Sequence, residues 1–531
     1  MKKQPGMKNY YRLILYWSLA FLTGPVTTGQ DIIVSEGTTI TLSGTSVMIK
    51  GILKNNGTII SDGGLTLLSD QDGTSLIDGS GTGVINGEIV MQRWFDRAFG
   101  YNYISSPFLS ANVSELADDI DLEDPFPALY RYDEFRSTSG WVTYNDPAGT
   151  LVPLSGYSAN LGFMDHPVTV DLKGVMNNGA LSVTLYNHNK TYTEGFNLVG
   201  NPYPSPIDWD AGEGWTRTNM DNAVYYFRAG ETDPYGGTYA AYMNGLSSDG
   251  IVNNIIPSMQ GFFVHVSDGA WPVTTTLSVN NKVRVRDLHH SFTKSTGTVE
   301  PDLLRLTASF SDDSTLFDPT VIYTDEKATF DFDGQLDALK LYNTDFNVPS
   351  FFSFGNDGSR LSINSIPGVV DQCSIRLGLR IEREGDVVFR VAALKGDSFC
   401  NILSITDRTT GMTTDITEGR CYRVALTAGD YTDRFWLNLS NTITGVPEMP
   451  VAGEWARIYQ HSGILKVEIN LQEFEDGHLT IYNLSGQPLN QYAVVGPGYH
   501  EFTPSVRDGI YLVILGSGKT SMIRKIFLQK R

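Results

Sequence analysis

The chain has 531 residues and a formal net charge of −20, with 18% charged residues, 11% aromatic residues and 53 glycines. That length accommodates about three to five domains, and the acidic balance argues against nucleic acid or anionic lipid as a partner. Long stretches rich in Ala, Glu, Lys and Leu are absent, so the composition points to short strands joined by Gly, Asn, Asp and Ser turns.

Residues 1–30 read as a signal peptide. Lys2, Lys3, Lys8 and Arg12 make a basic leader, and Leu13 to Leu22 make an apolar run. A bilayer span needs about 20 such residues, so this run is too short to be an anchor. Thr27, Thr28 and Gly29 are the small residues before Gln30, where cleavage is expected. The mature chain is therefore expected to be secreted or on the outer cell surface, by way of the periplasm.

Residues 31–92 carry short apolar pairs on alternate positions: Ile40 and Leu42, Val47 and Ile49, Leu65 and Leu67, then Leu76, Ile77, Val84 and Ile85. Gly, Asn and Asp fill the gaps. Period-2 runs broken by turn residues mean strands, and rungs this short predict a small β-solenoid or meander packed on the next domain.

Residues 93–280 contain an internal repeat. Tyr101-Asn102-Tyr103-Ile104-Ser105-Ser106-Pro107-Phe108 matches Phe196-Asn197-Leu198-Val199-Gly200-Asn201-Pro202-Tyr203. At the same distance after each proline comes an aromatic strand, Leu129 to Tyr132 and Val224 to Phe227. A second aromatic strand follows in each half, Trp141 to Tyr144 and Tyr239 to Tyr242. Each half ends in Pro, Gly and an aromatic: Pro153, Gly156, Tyr157 and Pro257, Gly261, Phe262. Two related β-units packed together are expected, with the aromatics filling a shared core or groove.

Residues 281–300 are polar and irregular and read as a linker. The His289-His290 pair within them has no third ligand of clear spacing for a metal. Residues 301–441 read as a second β-sandwich: Leu304, Leu306, Ala308 and Phe310 alternate with polar residues, and turn signals recur at Asp333-Gly334, Asn356-Asp357-Gly358 and Glu384-Gly385. Residues 442–454 carry Pro and Gly without periodicity and form the clearest linker.

From residue 455 to 531 the alternation is clean. Leu465, Val467, Ile469 and Leu471 share one face, Leu479 and Ile481 begin another strand, and Asn483-Leu484-Ser485-Gly486 turns it. Ile510, Leu512 and Ile514 make a strand opened by Asp508-Gly509, and Ile523, Ile526 and Leu528 close the set. This predicts a small antiparallel sandwich.

This segment resembles the type A C-terminal sorting domain of type IX secretion cargo in Bacteroidetes. The matching pieces are Ile458-Tyr459, Gly463 to Val467, Leu479 to Gln487 with Tyr482 and Gly486, Gly509 to Val513 with Tyr511, and Lys525 to Leu528. Where family members often carry Asn-Pro after the first Tyr, Gln460-His461-Ser462 stands, which implies one altered turn. The resemblance implies an immunoglobulin-like sandwich read by the outer-membrane translocon. A sortase-like protease would cut within 442–454 and join the cargo to an anionic lipopolysaccharide or release it. Less specifically, the preceding regions resemble the β-domains of Bacteroidetes surface proteins, a likeness that implies no defined activity.

The whole is thus expected to be an all-β, multi-domain, adhesin-like surface protein without catalysis. H-E-x-x-H, C-x-x-C, G-x-S-x-G and the phosphate-loop pattern are all missing, and no carboxylate pair announces a glycosidase. The other reading is a carbohydrate-binding or glycan-acting protein using 93–280, with Trp209 and Tyr225 among the aromatics that would stack on sugar rings; ordinary core is the plainer account of them. No cofactor is expected. Calcium would suit the run Asp118-Asp119-Ile120-Asp121-Leu122-Glu123-Asp124, or Asp70, Asp72 and Asp78, or Asp331 with Asp333, but no full Asp-x-Asp-x-Asp-Gly loop is present and a solvated loop is the plainer account. Of the three cysteines, Cys400 and Cys421 stand at the ends of neighbouring predicted strands and would form the disulfide, leaving Cys373 buried.

Overall fold

A computed structural model gives the structure of the chain. It describes residues 31–44, 46–123, 126, 128–288, 302–368, 372–396, 402–417, 419–440, 456–461, 464–469, 476–483, 486–517 and 520–528, with short strands at Leu13–Leu15, Ala20–Phe21 and Thr27–Gly29. The described residues contain strands and two short 3-10 turns but no α-helix, so the all-β, multi-domain architecture is as expected. None contains a helix long and apolar enough to cross a membrane. The rest of the expected signal peptide, the His289-His290 pair and Cys400 lie outside the described residues. Two compact units form, Met1–Asn441 and Thr442–Arg531.

The first unit begins with a parallel stack. Strands Ile32–Val34, Ile52–Asn55 and Leu76–Ile77 pile on one side, and Thr39–Leu42, Thr58–Leu67 and Val84–Phe95 on the other. Each rung is one turn of a β-solenoid, and alternation sends Val34, Leu53, Ile59, Leu67 and Met91 inward. The turns stack so closely that a Cβ on Gly83 would lie 2.2 Å from the Gly57 carbonyl oxygen. Inside this corner Asn55 accepts from the Gly57 N–H at 3.1 Å and donates to the Val84 carbonyl at 2.9 Å. Val168–Gly174 then pairs antiparallel with the last solenoid strand and links the stack to the next region.

The sequence repeat is a repeat of topology. In the first half the strands order as Ala98–Ser105, Gly156–Met164, Leu129–Tyr132, Trp141–Thr143. In the second they order as Phe196–Gly200, Gly261–Val266, Met220–Ala229, Gly237–Met243. The halves meet through reciprocal contacts: Ile104 bridges Gln260 while its equivalent Val199 bridges Ser155, the equivalent of Gln260. Ser105 donates its N–H to the Met259 carbonyl at 3.1 Å, and Gly200 donates to the Leu154 carbonyl at 3.0 Å. Leu154 and Met259 are both buried and both left-handed, with φ of 62° and 57°. That conformation is costly for a residue with a side chain. Its recurrence at equivalent positions marks it as the device that aims each carbonyl across the seam. Where the halves approach, Gly200 is required: a Cβ there would sit 2.2 Å from that of Ser105.

Residues 303–440 differ from a two-sheet sandwich. One continuous sheet, from Met412–Asp415 at one end to Cys421–Leu426 at the other, curls round a core of Leu304, Leu306, Phe310, Phe351, Phe389 and Phe435. Long strands with right-handed twist coil until the ends approach. Its other face shares a core with the repeat region: Leu303, Val321, Tyr323 and Ile363 pack with Tyr103, Phe196, Tyr225 and Phe263. Residues 281–288 are held along the solenoid, not loose as the 281–300 linker reading expects: Arg284 bonds Ser205 Oγ at 2.7 Å and the Ile77 carbonyl at 2.5 Å.

The second unit has a three-stranded sheet, Ala456–His461, Ile464–Ile469 and Gly498–Phe502, and a four-stranded sheet ordered Pro488–Val494, Gly477–Tyr482, Gly509–Ser517, Thr520–Leu528. Leu465, Val467, Leu479, Ile481, Val513 and Leu515 are its core. In the Gly509 strand the inward residues are Val513 and Leu515, while Ile510 is exposed.

Candidate functional site

The aromatics of the repeat form core. Trp209 is 1% exposed; its indole N–H donates to the Asn222 carbonyl at 2.7 Å and Trp215 meets it edge-on at 5.0 Å. Tyr225 is also 1% exposed and meets Phe196 edge-on at 5.3 Å. Neither offers a face to a sugar ring, so the plainer account of them as core describes both and the stacking alternative does not. Tyr103 organises the centre, stacked on Phe227 at 4.8 Å and sharing a 2.7 Å hydrogen bond with the Tyr239 hydroxyl.

A cleft of about 430 Å³ lies instead on the seam of the repeat. Leu154, Ser155 and Asn197 to Val199 make its floor. Strand Leu181–Asn187 and the turn after Leu129–Tyr132 make its walls. In that turn the Asp133 carboxylate accepts the Phe135 N–H at 3.1 Å, an Asx turn that throws Phe135 outward. Glu134 points the other way and is buried; its carboxylate accepts the His188 N–H at 2.9 Å and pairs with Nδ1 at 2.6 Å. Thr193 donates to the Glu134 carbonyl at 2.7 Å. The loop beyond strand Leu181–Asn187 is thereby tied to the first half of the repeat.

Around this tie stand exposed rings: Phe135 at 61%, Tyr186 at 41% and Tyr192 at 69%. Phe135 meets His188 edge-on at 4.7 Å, and the Lys190 ammonium lies 4.8 Å from its centroid. Both Glu134 oxygens are committed to holding His188, so this carboxylate positions the loop. The arrangement suits a ligand with flat apolar faces and hydroxyls. Sequence reasoning missed it because Phe135 and Tyr186 lie outside the matched repeat segments; the one available signal was their aromatic character, in a polar turn for Phe135 and in strand Leu181–Asn187 for Tyr186.

Several of the acidic candidates are engaged elsewhere, and Asp124 lies outside the described residues. Asp70 and Asp72 hold Lys50 at 2.7 and 3.3 Å. Asp78 accepts the Ser80 N–H at 2.9 Å. Asp119 accepts the Asp171 N–H at 3.0 Å, and burial with Asp118 and Asp171 nearby pushes its carboxyl up to about 7. Asp333 accepts the Gln335 N–H at 2.9 Å, and Asp331 donates its N–H to Thr329 Oγ1 at 3.2 Å. Among the described residues no group of three or more His, Cys, Asp or Glu could hold a metal ion. Cys373 is half-buried, with burial pushing its thiol up, and Cys421 is exposed. The expected partner of Cys421 falls outside the described residues.

In the C-terminal unit the sorting-motif residues have local roles. Gly486 has a φ of 80°, and its N–H donates to the Asn483 carbonyl at 3.0 Å while the Asn483 side chain accepts from Gln487 at 2.9 Å. Tyr482 is half-buried at the end of its strand. Gly509 opens the next, and Tyr511 bonds the Arg507 carbonyl at 2.7 Å. Lys525 is exposed opposite Leu512.

Residues 21–439 match the family described as Domain of unknown function (DUF8693). The chain belongs to that family. The matched span lies within the first compact unit, so the solenoid, the repeat and the curled sheet make up this DUF8693 region. No curated protein matches the chain. Among solved structures it is similar to the BSP domain of a biofilm associated protein at 12% identity, over 84% of this chain and 64% of that one, with a TM-score of 0.13. It is similar to the Bacillus anthracis TIE protein at 7% identity, over 88% and 71% of the two chains, with a TM-score of 0.10. Likenesses of this degree carry no argument about fold or function.

Proposed function

We propose that this DUF8693 protein is a non-enzymatic surface or secreted β-scaffold with a structural or adhesive role, delivered by its C-terminal unit through the type IX route. The observation that carries the reading is the outer face of the four-stranded sheet in that unit. Ile510 and Phe527 are cross-strand partners and both exposed, and Ile523, opposite Ile514, is 55% exposed. An exposed apolar cluster left on a sheet face after the core is filled, here with exposed Lys525 between Ile523 and Phe527, is a surface for a partner. The translocon is that partner in this reading, with a sortase-like protease acting in 442–454 and anionic lipopolysaccharide as the acceptor. Deleting 447–531 should hold the protein in the periplasm, and the double substitution Ile523→Lys, Phe527→Lys should do the same while leaving the core strands folded. Normal surface delivery of the deletion would sink the assignment.

A second reading is favoured by the seam cleft, whose exposed Phe135 and Tyr186 suit extracellular glycans. A glycan array should then lose its signal with Phe135→Ala plus Tyr186→Ala at unchanged thermal stability. Equal binding by the double variant rejects it.

A further inference from the structure

The curled sheet contains an ion pair that no solvent reaches. Asp318 lies in strand Phe317–Thr324, between Leu303–Phe310 and Arg360–Ile366. Lys340 follows the two-residue strand Ala338–Leu339 and is fixed by its own N–H, which donates to the Arg360 carbonyl at 2.8 Å. The two side chains are 1% and 2% exposed, and Lys340 Nζ contacts Asp318 Oδ2 directly. A second donor, the Phe351 N–H, meets the same oxygen at 2.6 Å. The Asn343 side chain bonds the carboxyl as well and is itself anchored to the Pro349 carbonyl at 2.9 Å.

A buried ion pair of this kind is a poor way to gain stability, because desolvation offsets the attraction. The same geometry is a good way to make a bond. The amine is held against the carboxyl group, with Nζ on Oδ2 and both side chains buried, which removes most of the entropic barrier to reaction. The Phe351 N–H is aimed at the oxygen that would carry negative charge during attack. Surrounding residues Thr320, Phe351, Ser353 and Leu361 are all buried, so water released there would not be replaced. Burial also pushes the Asp318 carboxyl up, towards the neutral acid that a nucleophile attacks.

We propose that Lys340 and Asp318 condense spontaneously into an intramolecular amide crosslink. A proton first passes from the Lys340 ammonium to the Asp318 carboxyl, leaving a neutral amine beside a neutral acid; the Nζ lone pair then attacks Asp318 Cγ, the Nζ–Cγ bond forms, and the Cγ–Oδ1 bond breaks. Oδ1 leaves with the acid proton and one amine proton as a single water; Oδ2 remains as the amide carbonyl, still accepting from Phe351. Nothing is oxidised or reduced and no co-reactant is needed. The link would tie a central strand of the sheet to the segment that follows Ala338–Leu339, so that pulling on the chain could not separate them.

The test is mass spectrometry of the full chain after denaturation. The expected result is a species lighter by one water, yielding on trypsin digestion a branched peptide in which 306–327 is joined to 328–360, with no cleavage after Lys340. Lys340→Arg should show the full mass of its own sequence with no water lost, and its digest should release 306–327 as a free linear peptide. A wild-type digest that releases free 306–327 and free 328–340 in full yield overturns the proposal.

Discussion

Asp407→Asn should open the curled sheet at its seam. Asp407 ends strand Ile402–Asp407, near one end of the sheet, and is fully buried. Its carboxylate accepts from Arg434 at 3.0 and 2.8 Å, from the Thr409 N–H at 2.9 Å, and from the Tyr422 hydroxyl at 2.7 Å. Tyr422 belongs to Cys421–Leu426, the strand at the other end, so this bond spans the closure. Burial alone would raise the carboxyl, but the Arg434, Tyr422 and Thr409 bonds outweigh it and bring it down to about 2 from 3.8. At about 1.4 kcal/mol for each unit, ionisation of this one group contributes about 2 kcal/mol. Because the folded value is the lower one, that contribution is present in full above about pH 4 and is lost as pH falls towards 2. The amide variant also leaves Arg434 without its charge partner, which raises the cost at neutral pH to about 3–5 kcal/mol. Hydrogen exchange read by mass spectrometry on the intact chain should show lost protection in 402–407 and 421–426 together. In urea titrations the stability gap between wild type and variant should shrink between pH 4 and pH 2. Unchanged protection in 421–426, or a gap independent of pH across that window, would refute the idea that this carboxylate closes the sheet.

Trp209→Ala should cost about 3–5 kcal/mol, read as a lower urea midpoint, because a fully buried indole leaves a cavity and the Asn222 carbonyl loses its donor. Phe135→Ala, at an exposed ring, should change stability by less than about 0.5 kcal/mol. Leu154→Val and Met259→Val should each destabilise by about 1–2 kcal/mol and by similar amounts, since both put a β-branched residue at positive φ on equivalent sides of the seam; a neutral result at either site would remove the conformational argument. Gly83→Ala should selectively raise hydrogen exchange in the solenoid, because its Cβ collides with the Gly57 backbone. The carboxyl of Asp119, raised to about 7 by burial, should make Asp119→Asn stabilising: the folded chain resists ionising this group, so the penalty grows from about pH 4 and is complete above pH 7, where the variant's gain should be largest.

Local pattern in the sequence was enough for the class of structure. Alternating apolar positions in 31–92 predicted strands, and the matched segments around Pro107 and Pro202 predicted paired units, because both signals need only neighbours along the chain. Which face of a strand is buried was not always so legible. In Gly509–Ser517 nearly every residue is apolar, so alternation alone does not choose, and packing against Leu479 and Ile481 selects Val513 and Leu515 over Ile510.

What the sequence by itself determined, then, is the all-β character, the tandem repeat and the distinct C-terminal β-segment, since period-2 hydrophobicity and turn residues are properties of short windows. Tertiary structure alone decided that Trp209 and Tyr225 are core, that Phe135 and Tyr186 line a cleft, that 303–440 curls as one sheet, and that Lys340 meets Asp318. Each of these depends on which distant segments pair, and pairing is set by the filling of a shared core, a sum over the whole chain that no local window contains.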